Sequence, residues 1–401
     1  MKRILLFLSL ISLPFSMISN VKAASYASDT LKGKVVTTGD GLYLDKYNEG
    51  RYVYKGGNPN NFIKFNNELW RIISVEKDGT LKIIKNDSLD NELQFNTNNK
   101  NGSYCSFSGG LHSYSIGCNA WGKSEYFDGG NWYYLTAPYH VFGTVTDDSV
   151  LNKFLNNDYY LNLNDNSRCE IVSKNYYFGP LHNDSNDVPS TIEEEKQQVW
   201  NGNIGLPNIS DMLLANMDEN KCGSVKKIFD NSIISYIDKN GNVLDSCRQY
   251  NGAPIEGCKT YYKNNCSIDN YLMINGESTS DDYNYLFINA GYVGTVFANS
   301  YQGLSHNNVT VKGKNVKPVL YLRSDIQIVS GNGNDNSPYE IICEECREAN
   351  NENSKNESDQ VVDVPSTSMF ISVFIIGGFI LIAALCIVIY LKVFKKKDIN
   401  K

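Results

Sequence analysis

The 401-residue chain carries 37 Lys and Arg against 44 Asp and Glu, a formal charge of -7 at pH 7. That balance excludes a nucleic-acid partner, which needs a basic face to neutralise phosphates. With 41% hydrophobic and 12% aromatic residues, the chain can bury a sizeable core.

Met1-Lys2-Arg3, an apolar run from Ile4 to Ile18 and Val21-Lys22-Ala23 read as a secretory signal peptide over residues 1–23. Residues 24–38 are small and polar and read as a linker. From Gly39 the pattern changes to short runs, Tyr52 to Tyr54, Phe62 to Phe65, Leu69 to Val75 and Leu81 to Ile84. They are β-branched or aromatic and bounded by turns such as Gly56-Gly57-Asn58-Pro59-Asn60 and Lys77-Asp78-Gly79. This predicts an antiparallel meander with Trp70 in the core and its indole N–H bonded locally. Residues 86–145, rich in Asn, Gly, Ser and aromatics with little periodicity, read as a long looped region.

Helical spacing follows at Asp148 to Leu163, with Val150, Leu151, Phe154, Leu155, Tyr159 and Leu163 on one face and Asp147 or Asp148 as cap. A second helix is predicted over 209–217, capped by Ser210, with Met212, Leu213 and Ala215 inside. Late strands are predicted at Tyr285 to Ile288, Gly291 to Phe297, Asn308 to Val311 and Val316 to Leu322. Early strands, middle helices and late strands imply one α+β domain over 39–342.

Beyond it, 343–368 reads as a disordered acidic stalk. Met369 to Leu391 holds no charged residue and would make a helix roughly 35 Å long, so a transmembrane helix in the lipid bilayer is expected. Lys392, Lys395, Lys396 and Lys397 would keep the basic tail 392–401 in the cytoplasm, giving a single-pass plasma-membrane protein with its N-terminus outside. Val364-Pro365-Ser366-Thr367-Ser368 loosely follows the layout of a sortase signal, so Pro365 and Thr367 mark an alternative, cell-wall attachment.

All ten cysteines except Cys386 would lie outside the cell, where disulfides persist. Cys105 and Cys118 are close enough for a local loop; Cys222, Cys247, Cys258 and Cys266 form a second group, in which Cys222 and Cys266 are the candidates. An odd number leaves one thiol over. Cys343-Glu344-Glu345-Cys346 has no partner pair of the same spacing, so no metal site is expected.

His112, His140, His182 and His306 stand in no catalytic or metal-binding motif, and no phosphate-binding loop is present. Glu193-Glu194-Glu195 reads as a solvated helix end or loop. Neither catalytic residues nor a cofactor are expected. The densest aromatic segment holds Tyr126, Trp132, Tyr133 and Tyr134, the candidate ligand-binding residues, because exposed aromatics on long loops serve recognition in many binding modules.

Several segments together resemble an uncharacterised family of surface proteins from gut-dwelling Gram-positive bacteria. They are Gly50-Arg51-Tyr52, Asn58-Pro59-Asn60-Asn61, Glu68-Leu69-Trp70-Arg71-Ile72-Ile73, Gly117-Cys118-Asn119-Ala120-Trp121, Trp200 with Ile204-Gly205-Leu206, Ser210-Asp211, and Lys317-Pro318-Val319 with Leu322. That family is similar to C-type-lectin-like domains, so the resemblance implies an α+β, lectin-like fold. Antiparallel strands with two or so helices would carry long loops that display a binding surface. The calcium and sugar motifs of true C-type lectins are absent.

The expectation is therefore a membrane-anchored cell-surface binding or adhesion protein whose extracellular ligand is a glycan, a protein or a wall polymer. Two alternatives stand beside it. One is an extracellular hydrolase or thiol enzyme, and the other is a structural envelope protein, attached by sortase or not.

Overall fold

In the computed structural model, the alternating runs after Gly39 pair into one seven-stranded sheet. The structure describes residues 25–89, 93–97, 105–107, 118–134, 137–181, 187–237, 243–244, 259–264, 266, 269–273, 285–291, 295–300, 303–313 and 315–349. Across the sheet the order is Gly41–Leu44, Tyr52–Lys55, Glu68–Val75, Leu81–Lys85, Val319–Leu322 and Ile204–Gly205, with Phe62–Phe65 also paired to Glu68–Val75. Every pairing is antiparallel.

Glu68–Val75 has two partners along one edge. Its first half pairs with Phe62–Phe65 and its end with Tyr52 and Val53. The tight hairpin between Phe65 and Glu68 uses Asn66 and Asn67 at φ 52° and 60°, left-handed angles that asparagine tolerates better than most residues. Trp70 is fully buried and meets Phe65 edge-on at 5.4 Å. Its indole N–H, expected to bond locally, meets no acceptor among the described residues.

The helix expected from Asp148 runs as Val150–Lys153, a π-helical Phe154–Tyr159 and Tyr160–Asn162. Its cap is Ser149, whose hydroxyl accepts the Asn152 N–H at 3.2 Å, not Asp147 or Asp148. The helix expected over 209–217 is Ile209–Leu214, buried along its whole length and preceded by Asn208 as cap. Ser210 lies inside it.

The region read as a long loop carries a sheet of Cys105–Phe107, Ser124–Tyr134 and Ala137–Val145. Its glycines and asparagines hide the alternation, and the pairing of the two longer strands is broken by register shifts. Of the late strands, Tyr285–Ala290, Thr295–Ser300 and Gly303–Asn308 form a separate sheet. Val319–Leu322 instead crosses into the main sheet beside Leu81–Lys85.

Two sequence expectations need correction. The lectin-like plan of antiparallel strands with two or so helices is replaced by a mixed architecture, in which, among the described residues, six antiparallel sheets accompany helices that also include Ala27–Lys32, Asp165–Glu170, Val188–Glu195, Glu219–Cys222 and Val225–Asn231. The C-terminal transmembrane helix, and with it the single-pass plasma-membrane placement, finds no counterpart among the described residues. Among the described residues no helix is long and apolar enough to cross a membrane, and the expected span Met369 to Leu391 lies outside them. Residues 1–23, Pro365 and Thr367 lie outside them too.

The chain divides into two units, Met1–Arg347 and Glu348–Lys401, and every feature discussed below belongs to the first. Both presumed borders of the domain contribute to its core. Ala27 and Leu31 of the expected linker are fully buried, and the Ala27 N–H reaches the Ile326 carbonyl at 2.8 Å. At the other border Cys343 and Cys346 are buried as well.

Truncating Leu31 tests this placement. Leu31→Ala is expected to lower unfolding free energy by about 2–5 kcal/mol in a urea titration, as for a core leucine. A change within about 0.5 kcal/mol, typical of a surface position, would return residues 24–38 to the status of a linker.

Candidate functional site

Leu81–Lys85 is buried at every position, yet it carries Lys82. Across the neighbouring strands Lys82 is flanked by Ser74 on one side and Tyr321 on the other. The three make a polar row across three adjacent strands. A register shift between Ile72 and Ser74 sets Ser74, instead of Ile73, opposite Lys82. Such bulges commonly re-aim a side chain beside a functional site.

Helix Ile209–Leu214 supplies the counter-charge. The Asp211 carboxylate accepts Lys82 Nζ at 2.6 and 2.9 Å and the Asn208 backbone N–H at 2.9 Å. Arg51 Nη2 lies 3.5 Å from the same carboxylate. Arg51 also donates to Glu76 and Asp45 at 3.1 Å each and to the Ser74 hydroxyl at 3.3 Å. Ser74 in turn donates to Glu76 at 2.6 Å.

Glu195, the last residue of Val188–Glu195, completes the network. Its carboxyl accepts the Ser210 backbone N–H at 2.9 Å and the Ser210 hydroxyl. Burial pushes this carboxyl up to about 7 against the two Ser210 hydrogen bonds; the Asp211 charge adds to the rise and the Lys82 charge opposes it. Glu195 is therefore poised between acid and carboxylate at neutral pH. Against the expectation of a solvated Glu-Glu-Glu run, Glu193 is exposed but Glu195 is buried.

Arg51, Glu76, Lys82, Glu195, Ser210 and Asp211 line a cavity of ≈ 480 Å³, towards whose rim stand Tyr47, Glu49, Lys77, Tyr177 and Lys196. Tyr47 is anchored through its hydroxyl, which donates to Glu219 at 2.8 Å. Against burial, hydrogen bonds from Lys46, Lys55 and Tyr47 hold Glu219 down to about 2, so it stays charged and keeps that grip. Tyr177 is 36% exposed. Among the described residues no group of three His, Cys, Asp or Glu side chains could hold a metal ion.

Of the aromatic residues singled out in the sequence, Tyr126 does not line this cavity, and the side chains of Trp132, Tyr133 and Tyr134 lie outside the described residues. Tyr126 is 60% exposed on the strand Ser124–Tyr134. Trp132, Tyr133 and Tyr134 follow on the same strand, opposite Tyr139, Pro138 and Ala137. Cys222 and Cys266 are joined in a disulfide with Cα atoms 5.6 Å apart. Cys118 is disulfide-bonded, while the side chain of Cys105 lies outside the described residues.

The bond Cys169–Cys346 has no counterpart in the sequence expectations. Sequence reasoning also missed Lys82 and Glu195 as functional residues. The one available signal was the resemblance itself, since Arg51, Ser210 and Asp211 belong to its segments and the fold brings all three to one cavity. No protein-family model, no curated protein and no solved structure matches the chain.

The raised Glu195 carboxyl has a measurable consequence. An acid whose folded value lies above its ordinary 4.5 binds more protons folded than unfolded, so its contribution to stability is greatest below about 4.5 and is lost as pH rises towards 7. Glu170 is pushed up to about 7 by burial as well and adds a second such slope. In urea titrations between pH 5 and 7, Glu195→Gln should therefore flatten the decline by about half. An unchanged slope would show that Glu195 is solvated.

Proposed function

We propose that the protein is a binding protein whose cavity takes a small neutral polyhydroxylated ligand, such as one sugar unit of a glycan or wall polymer. The observation that carries this reading is the balance of charge around the cavity. Arg51, Lys77, Lys82 and Lys196 face Glu49, Glu76, Glu195 and Asp211, and the innermost of these are already paired with one another. A ligand of one strong charge would meet ion pairs already formed at the inner wall. A sugar, whose hydroxyls both donate and accept, suits such a mixed lining. The rings of Tyr47, Tyr177 and Tyr321 offer apolar surface for its C–H faces.

Further support comes from the setting. The disulfides Cys169–Cys346 and Cys222–Cys266 suit an oxidising compartment, and the resemblance to bacterial surface proteins points the same way. The pre-formed network also favours binding, because little ordering is left to be done when a ligand arrives.

One other reading draws on a specific observation. A carboxyl raised to about 7 beside a lysine-paired carboxylate could serve as a general acid towards a glycosidic bond, which would make the same cavity hydrolytic.

Calorimetry against a panel of neutral oligosaccharides tests both readings. Saturable binding is expected, weakened at least about 10-fold by Tyr177→Ala with thermal unfolding unchanged, because the side chain sits at the rim. Release of reducing sugar that disappears in Glu195→Gln would favour the hydrolytic reading. Absence of binding, or binding lost only on changing Tyr126, would overturn the assignment of the cavity.

A further inference from the structure

Three cysteines meet at the end of the described chain. Cys169, on Asp165–Glu170, and Cys346 form a disulfide with Cα atoms 5.6 Å apart. Cys343 is the free cysteine among the described residues, and its Sγ lies 2.8 Å from the Sγ of Cys346. A helical turn starts after Cys343, so that Cys343 Sγ accepts the Cys346 N–H at 3.3 Å and its carbonyl accepts the Arg347 N–H at 3.1 Å. The Cys-x-x-Cys pair thus spans the first turn of a helix, with the two sulfurs already in contact. Cys343 and Cys346 are buried, whereas Cys169 is partly exposed.

A thiol resting against a disulfide sulfur is the starting arrangement for exchange, which proceeds by attack of a thiolate on one sulfur and departure of the other. We propose that Cys343, Cys346 and Cys169 form a thiol–disulfide exchange site that acts on low-molecular-weight or protein disulfides. In the internal step the Cys343 thiolate attacks Cys346 Sγ. The Cys343–Cys346 bond forms as Cys346–Cys169 breaks, and Cys169 leaves as a thiolate. One disulfide and one thiol remain, so no oxidant is consumed, and the proton lost by Cys343 is balanced by the one Cys169 can take up.

The result is a change in accessibility. A buried free thiol is exchanged for a partly exposed one. From there the Cys169 thiolate can attack an external disulfide R–S–S–R, forming Cys169–S–S–R and releasing R–S⁻. Cys343 cannot easily do this itself, because it is enclosed.

The environment restrains the first step at neutral pH. Burial pushes the Cys343 thiol up, the Cys346 N–H opposes the rise, Asp325 adds to it, Arg323 opposes it and Glu170 adds again. These groups come from the helix Asp165–Glu170 and from the segment after Val319–Leu322, the two elements beside the thiol. Since only the thiolate attacks, exchange should accelerate with pH.

The test uses the full chain with glutathione disulfide as probe, at pH 7 and pH 9, stopped in acid, digested without reduction and read by mass spectrometry. Both Cys169–Cys346 and Cys343–Cys346 linked peptides are expected, together with a glutathione adduct on Cys169 that forms at least about 10-fold faster at pH 9. Cys343→Ser should retain Cys169–Cys346 and carry no adduct on Cys169. Cys169→Ser should contain the Cys343–Cys346 bond. The proposal fails if the wild-type chain holds Cys169–Cys346 alone at both pH values, with any adduct confined to Cys343. It also fails if Cys343→Ser acquires the Cys169 adduct as fast as wild type. The wild-type peptide map decides the matter even if a variant does not fold, and it is independent of whether the cavity binds sugar.

Discussion

The arrangement of the cavity depends on an ion pair that should be unfavourable to bury on its own. Placing the Lys82 ammonium in a fully buried strand and the Asp211 carboxylate in a fully buried helix strips both of water, at a cost of several kcal/mol per ion. Their mutual attraction offsets that cost only where geometry is good and the remaining lone pairs are occupied. Both conditions are met, since Asp211 also accepts the Asn208 N–H and stands beside Arg51. An apolar pair of similar volume would fill the same space with comparable stability. What the ions add is position. A buried carboxylate must sit against a cation, so Lys82, with Arg51 beside it, fixes where the start of Ile209–Leu214 must lie against the sheet.

From that fixed point the other groups follow in order. Asn208 and Ser210 flank Asp211 in sequence, so anchoring Asp211 places Ser210, which then holds Glu195 at the end of the preceding helix. On the sheet side the bulge before Ser74 gives Arg51 and Glu76 a shared hydroxyl. Each polar group thus satisfies a neighbour, and a half-satisfied network would be worse than an apolar core. A ligand meets groups whose orientation is already determined.

The same logic explains how much of this was legible. Strands announced themselves at Tyr52–Lys55, Phe62–Phe65 and Leu81–Lys85 because alternation and β-branching are local properties. Lys82 could not be recognised as buried from its own surroundings, where Leu-Lys-Ile-Ile-Lys looks like a half-exposed strand. Its partner lies 129 residues away, and only the fold joins them. Glu195 was hidden in a run of three glutamates whose neighbours are solvated. Tyr126 draws attention by the composition of its segment, yet composition does not say which side chains line a cavity. Cys169 was passed over because its partner, Cys346, is 177 residues distant.

Val319–Leu322 links the two chemistries. At its centre Tyr321 lines the cavity beside Lys82, and its carbonyl accepts the Val172 N–H at 2.9 Å. Leu322 bridges to Ile171, and the Arg323 N–H donates to the Glu170 carbonyl at 2.9 Å. The segment leaving Cys169 is therefore laid directly along the strand that carries Tyr321. Because the disulfide ties that segment to the C-terminal turn, moving the bond to Cys343–Cys346 would release it at Cys169 while leaving these backbone hydrogen bonds in place. Lys82 and Asp211 are held by each other and would not sense the change, whereas Tyr321 is held from the Cys169 side. Among the described residues two cavity side chains adjoin that segment, Tyr321 through the Val172 hydrogen bond and Tyr177 through the strand Lys174–Tyr177 that continues it, so sulfur exchange would reach the cavity through these tyrosines.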